Sequence, residues 1–103
     1  MKHYKIAILA GDGIGPEITQ EAVKVLKVIE ERNDVTFELL PAAFGACAYF
    51  ESGSAFPHQT KAICDEADAI LKGPIGLSHE DSKRIPIDEQ PERGALLPLR
   101  RRY

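Results

Sequence analysis

Lys5-Ile6-Ala7-Ile8-Leu9-Ala10-Gly11-Asp12-Gly13-Ile14-Gly15-Pro16-Glu17 carries the strongest local pattern in the chain. An apolar run of strand length meets a glycine-rich turn, and a helix opens at a proline. Pro16 suits the first helical turn, where its missing N–H leaves no bond unmade. Glu17 follows where the helix dipole favours negative charge. The pattern is strand–loop–helix, the first half of a βαβ unit. Glycines before a helix N-terminus can hold a phosphate. The spacing, however, is neither G-x-G-x-x-G, because position 16 is proline, nor a Walker loop, because no Gly-Lys-Ser/Thr follows. On spacing alone a tight structural turn stands slightly ahead of a phosphate cradle.

Outward from this stretch, Ile18, Ala22, Val25, Leu26 and Ile29 recur at helical spacing and predict a helix over 15–32 with one apolar face. Asn33-Asp34 is a turn. Residues 35–40 alternate as a second strand, with Val35, Phe37 and Leu39 on one face, and Pro41 ends it. Strand, helix and strand of these lengths predict parallel pairing. The small, apolar segment 42–50 predicts a buried helix, closed by Glu51-Ser52-Gly53-Ser54. Pro57 opens another helix to about position 67. Ala69-Ile70-Leu71 is a short third strand, followed by a second glycine corner, Lys72-Gly73-Pro74-Ile75-Gly76. Loops at the carboxyl ends of parallel strands are where open α/β sheets bind ligands, and the two glycine corners should share one such edge.

At 103 residues the chain makes at most one domain with a modest core. Its 44% hydrophobic and 28% charged residues suit a globular protein, and a net charge of -3 gives no nucleic-acid footprint. No apolar run reaches a membrane span. Residues 1–4 lead straight into the first strand without a signal peptide's apolar region, so the expected location is cytoplasmic. Cys47 and Cys64 form no metal or redox motif and are expected as reduced, buried thiols. His3, His58 and His79 are scattered.

The residues 9–17, Leu-Ala-Gly-Asp-Gly-Ile-Gly-Pro-Glu, resemble the N-terminal signature of the β-decarboxylating dehydrogenases, a family acting on 3-isopropylmalate, isocitrate, homoisocitrate and tartrate or malate. Three further segments resemble it in the same order. They are Glu66-Ala67-Asp68-Ala69-Ile70-Leu71-Lys72-Gly73-Pro74-Ile75-Gly76, then Gln90-Pro91-Glu92 in place of the family's Arg-Pro-Glu, then Gly94-Ala95-Leu96-Leu97-Pro98-Leu99-Arg100-Arg101-Arg102. The resemblance implies an α/β fold, a partial parallel-sheet βαβ sandwich. Residues 1–103 would be a truncated N-terminal segment of the family's first domain.

It also implies NAD(P)-dependent oxidative decarboxylation of a 2-hydroxy acid, with 3-isopropylmalate expected first. The same family acting on another of these acids, or a non-catalytic βαβ binding or assembly module, stays open as an alternative. By the resemblance Arg100 clamps a substrate carboxylate, and a guanidinium fork suits that task. Leu96 and Leu97, one turn earlier, would face the substrate's aliphatic group. Ile75, Gly76, Leu77, Ser78 and Glu92 would line the nicotinamide end of the cofactor site. Arg101 and Arg102 would face solvent, because successive helical residues point apart. Glu80-Asp81 and Asp88-Glu89 read as loop charges. The resemblance places the catalytic acid–base groups and the Mg²⁺ or Mn²⁺ ligands outside this chain, so the chain alone is expected to be inactive. The expected partners are a small 2-hydroxy acid and neither nucleic acid nor membrane. The parent is expected as a homodimer, and an uncovered sheet edge would let the short chain self-associate.

Overall fold

The computed structural model describes residues 2–76 and 83–103, with Asp88, Pro91 and Glu92 by backbone alone. In chain order the elements are β1 (Lys2–Leu9), α1 (Gly15–Arg32), β2 (Val35–Pro41), α2 (Ala46–Ser52), α3 (His58–Glu66) and β3 (Ala69–Lys72). A 3₁₀ turn (Ile87–Glu89), a π-helical turn (Pro91–Leu96) and α4 (Leu97–Arg102) follow. The sheet is parallel throughout, in the order β2-β1-β3. Ile6 pairs with Leu39 on one side and with Ala69 on the other. The predicted α/β fold, its strand order of appearance and its parallel pairing are therefore those observed.

β1 is central, and its sequence says why. Lys2, His3 and Tyr4 are exposed, whereas Ile6, Ala7, Ile8 and Leu9 are all buried. An unbroken apolar run suits a parallel strand covered on both faces. Asp68 ties the start of β3 to it: Lys5 N–H donates to Asp68 Oδ2 at 2.8 Å, and Asp68 N–H donates to the Lys5 carbonyl at 2.7 Å. The core gathers Ala7, Leu9, Phe44, Ala55, Phe56, Cys64, Ala95 and Leu99. Phe44 and Phe56 meet edge to face at 5.4 Å and 84°, an arrangement worth about 0.5–1.5 kcal/mol beyond the area buried. Thr60, itself buried, donates to the Ala43 carbonyl at 2.6 Å and ties α3 to the loop after β2.

Three expectations are corrected. First, α1 spans 15–32 as predicted, but it does not dock by the predicted face. Gly15 and Thr19 are buried and Ala22, Val23 and Leu26 half-buried, whereas Ile18, Val25 and Ile29 are exposed. The helix is rotated because its first turn lies against backbone: a Cβ on Gly15 would stand 2.1 Å from the Ala10 carbonyl oxygen. Residues at 15, 19, 22 and 26 must therefore face the sheet, and Ile18 sits about 100° round the axis from Thr19. Second, α2 begins only at Ala46, since residues 42–45 form the loop that leaves β2. Third, Cys64 is buried but Cys47, near the start of α2, is exposed; neither is in a disulfide.

The polar segment before α4 is anchored where it is described. Ile85 is buried, Gln90 Nε2 donates to its carbonyl at 2.8 Å, and Arg84 lies over the Phe50 ring at 5.3 Å. Glu89 is not a bare loop charge, because its Oε2 accepts the Ala55 N–H at 3.2 Å.

Candidate functional site

The carboxyl ends of the three strands converge on one edge, and backbone meets backbone there. Asp12 N–H donates to the Pro74 carbonyl at 2.9 Å, and Gly73 N–H donates to the Leu9 carbonyl at 2.7 Å. Ala42 N–H donates to the Ile8 carbonyl at 3.0 Å, bringing in the loop after β2. The glycines allow this approach. A Cβ on Gly11, whose φ is +82°, would stand 2.1 Å from the Pro74 oxygen, and one on Gly73 2.2 Å from the Ala10 oxygen. The first glycine corner is thus filled by the second, and the structural reading of the turn holds at Gly11, Gly15 and Gly73. Gly13 differs: its φ is +57° and no atom lies within 4 Å of its Cβ direction.

Asp12 is the centre of this edge. Its side chain is 5% exposed. Oδ2 accepts N–H bonds from Ala46 at 2.8 Å and Gly76 at 2.9 Å, and Oδ1 accepts one from Cys47 at 2.8 Å. A carboxylate taken out of water demands such partners. Two of its donors are the first amides of α2, so Asp12 caps that helix from 34 residues away, where the local residue Gly45 offers no side chain. Gly45 leaves the needed room, since a Cβ there would lie 2.6 Å from Asp12 Oδ2. The sequence reading missed both residues. The available signal was a helix start without a local cap, beside an acidic residue between glycines.

Cys47 sits on the same knot, its sulfur 3.4 Å from the Gly11 and Phe44 carbonyl oxygens. A helix N-terminus ordinarily lowers a thiol's pKa. Here partial burial pushes it up, and the neighbouring Asp12 charge pushes further in the same direction.

The structure treats the predicted site residues unequally. Ile75 and Gly76 are half-buried in the second corner; Ile75 packs on the central core, and Gly76 is held by Asp12. Leu77 and Ser78 lie outside the described residues, as do His79, Glu80 and Asp81. Glu92 falls in the π-helical turn. Ala95 of the π-helical turn and Leu99 of α4 are buried in the same core that supports Ile75, Leu96 at the end of the turn is half-buried, and Leu97 and Arg100 of α4 are exposed. Arg102 is exposed as expected but engaged: its Nε donates to Asp65 Oδ1 at 3.0 Å, its Nη2 donates to Oδ2, and the Tyr103 hydroxyl donates to the same carboxylate. That fork holds the Asp65 pKa down to about 2. Among the described residues no three His, Cys, Asp or Glu side chains are grouped to hold a metal ion. No helix is long and apolar enough to cross a membrane among them.

The model of the isocitrate/isopropylmalate dehydrogenase family matches residues 5–103. The chain belongs to this family. It is 50% identical over 100 residues to the 3-isopropylmalate dehydrogenase of Syntrophotalea carbinolica, covering 97% of this chain and 27% of that protein. The 3-isopropylmalate dehydrogenase of Campylobacter jejuni is 43% identical over 103 residues, 100% of this chain and 28% of the relative. Among solved structures, the apo β-decarboxylating dehydrogenase of Thermococcus kodakarensis superposes with a TM-score of 0.68 at 31% identity, covering 95% of this chain and 26% of that one. The chain thus spans about a quarter of the length of the curated relatives it matches.

Proposed function

We propose that the protein carrying this chain oxidises and decarboxylates 3-isopropylmalate with NAD(P), and that these 103 residues supply the nicotinamide edge and one substrate arginine. The observation that carries this reading is the knot at the carboxyl edge of the sheet, in a chain similar to the two curated relatives described above, both named 3-isopropylmalate dehydrogenases. A nicotinamide, when bound, accepts the hydride released from the hydroxyl-bearing carbon.

The knot supports the nicotinamide end of the cofactor rather than its phosphates. The N–H groups of Asp12, Gly73, Ala46, Cys47 and Gly76 all have protein acceptors, so these five donors are engaged within the chain. What remains at the corner is the half-exposed surface of Ile75 and Gly76. Arg100, on a helix anchored by Leu99 and Ala95, would clamp a substrate carboxylate, with Leu96 and Leu97 toward the isopropyl group. Leu77, Ser78 and Glu92 would continue the cofactor contact. The divalent metal implied by the family has no ligand set among the described residues. By the resemblance, which places the acid–base groups and metal ligands outside these residues, the chain alone is proposed to be inactive and the parent to be a cytoplasmic homodimer.

The test is steady-state kinetics on the purified protein as its gene encodes it, with Mn²⁺ and either NAD or NADP. 3-Isopropylmalate should be preferred over isocitrate and malate. Arg100→Lys should raise the KM for the acid roughly ten-fold or more while the cofactor KM moves little, since a bidentate pair becomes a point charge. Preference for isocitrate would sink the role given to Leu96 and Leu97. An unchanged acid KM in the Arg100 variant would sink the carboxylate clamp.

A further inference from the structure

The nicotinamide reading leaves open which group at the corner would recognise the cofactor's carboxamide, and the bonds of Asp12 bear on it. Gly76 N–H points at Asp12 Oδ2, 2.9 Å away, and that carboxylate is buried. Among the described residues there are no cis peptide bonds, so the peptide joining Ile75 to Gly76 is trans. In a trans peptide the carbonyl and the N–H point in opposite directions. The Ile75 carbonyl is therefore directed away from the buried carboxylate, on a corner whose two residues are half-exposed.

We infer that Asp12 is a positioning residue. By holding Gly76 N–H inward it presents the Ile75 carbonyl outward as an acceptor for the carboxamide NH₂ of nicotinamide. This rests on the proposed function, because it assumes that the nicotinamide end lies at residues 75–76. Asp12 touches neither cofactor nor substrate; it acts through one peptide plane. Its other two bonds, to the Ala46 and Cys47 amides, hold the carboxylate against α2. Gly76 itself, with φ +119°, has a backbone that other residues rarely adopt, so the plane depends on both the glycine and the carboxylate.

The experiment compares dissociation constants for NAD and for its 3-acetylpyridine analogue, which keeps the ring carbonyl and lacks the NH₂. The gene-encoded protein is measured beside Asp12→Ala, Asp12→Asn and Ile6→Ala. Ile6 lies buried in β1, three residues before Leu9, so its variant serves as a destabilised control matched by melting temperature. The unsubstituted protein should bind NAD about 3–10-fold more tightly than the analogue, the value of one hydrogen bond. Asp12→Ala should bring that ratio close to one, and Ile6→Ala should leave it. Asp12→Asn should restore most of it, because an amide oxygen in the Oδ2 position can still accept from Ala46 and Gly76. A ratio retained in Asp12→Ala, or lost equally in Ile6→Ala, would overturn the positioning role while leaving the dehydrogenase reading intact. A protein that binds neither dinucleotide and oxidises none of the acids would overturn the functional reading and this inference together.

Discussion

Replacing Gly11 by alanine tests the packing of the two glycine corners most directly. The added Cβ would arrive 2.1 Å from the Pro74 carbonyl oxygen, 3.0 Å from the Pro74 carbonyl carbon and 3.3 Å from Ile75 Cγ2. The oxygen must retreat by about 1 Å to restore an ordinary contact, and an overpacked core site of this kind costs about 1–3 kcal/mol. That same oxygen accepts the Asp12 N–H at 2.9 Å, so its retreat also removes a bond and leaves a buried donor, about 1–3 kcal/mol more. The positive φ of +82° adds about 1–2 kcal/mol for any residue with a Cβ. A loss of about 3–8 kcal/mol follows, a large share of the roughly 5–15 kcal/mol that stabilises a typical protein. Gly53 provides the control: its φ is +84°, and nothing lies within 4 Å of its Cβ direction, so Gly53→Ala should lose only the backbone term of about 1–2 kcal/mol. Urea denaturation followed by far-UV circular dichroism reads both. With an ordinary slope, Gly11→Ala should lower the midpoint by about 2 M. If the two variants fall within about 1 kcal/mol of each other, the glycine corners are not in the contact described, and the placement of residues 75–76 falls with them.

Asp65 gives a pH test. Its pKa is lowered from 3.8 to about 2 in the folded state by the Arg102 fork and the Tyr103 hydroxyl, so its contribution is complete above about pH 4 and is lost as pH falls toward 2. The stability difference between the unsubstituted chain and Arg102→Ala should close over that window; a difference constant from neutrality to pH 2 would refute the pairing. Cys47 should react with iodoacetamide at pH 8 more slowly than a free thiol despite its exposure, because partial burial and then the Asp12 charge disfavour its thiolate. Asp12→Asn should speed that alkylation, read by mass spectrometry of the Cys47 peptide, and a rate equal to that of a free thiol in the unsubstituted chain would refute the environment described.

Much of the fold was legible because it rests on local signals. The apolar run before Gly11, the Pro16 helix start, the Asn33-Asp34 turn and the short 69–72 strand each announce themselves within a few residues, and parallel pairing follows from the helix between strands. The rotation of α1 was not legible. Its apolar residues are spread so widely that two stripes fit the period, and the choice between them is made by Gly15 and Thr19 lying on backbone from elsewhere in the chain. The role of Asp12 was hidden for the same reason: its three donors lie 34, 35 and 64 residues away. Glu89 likewise acts at a separation of 34 residues, on Ala55. Periodicity reports which residues want burial; it carries no information about which amide a distant carboxylate will meet.

A glycine-rich turn between a strand and a helix can serve two opposite ends: it can admit a ligand to the backbone, or it can admit another stretch of backbone. Sequence alone separates these poorly, since both need residues without a Cβ. The decisive observation is what occupies the space and whether the amides are engaged. At Gly11 and Gly73 the space is occupied by carbonyl oxygens, and the neighbouring amides already have acceptors. With the Asp12 and Gly73 amides engaged, the edge is proposed to recognise what it binds by shape, by outward carbonyls and by side chains brought from other elements. That is why the proposed recognition falls on the Ile75 carbonyl, on Leu96 of the π-helical turn and on Leu97 and Arg100 of α4, whose buried neighbours Ala95 and Leu99 share one core with Ile75. The glycine knot then acts as the rigid base against which those groups are held, and any substitution that loosens the base should relax cofactor discrimination before it abolishes folding.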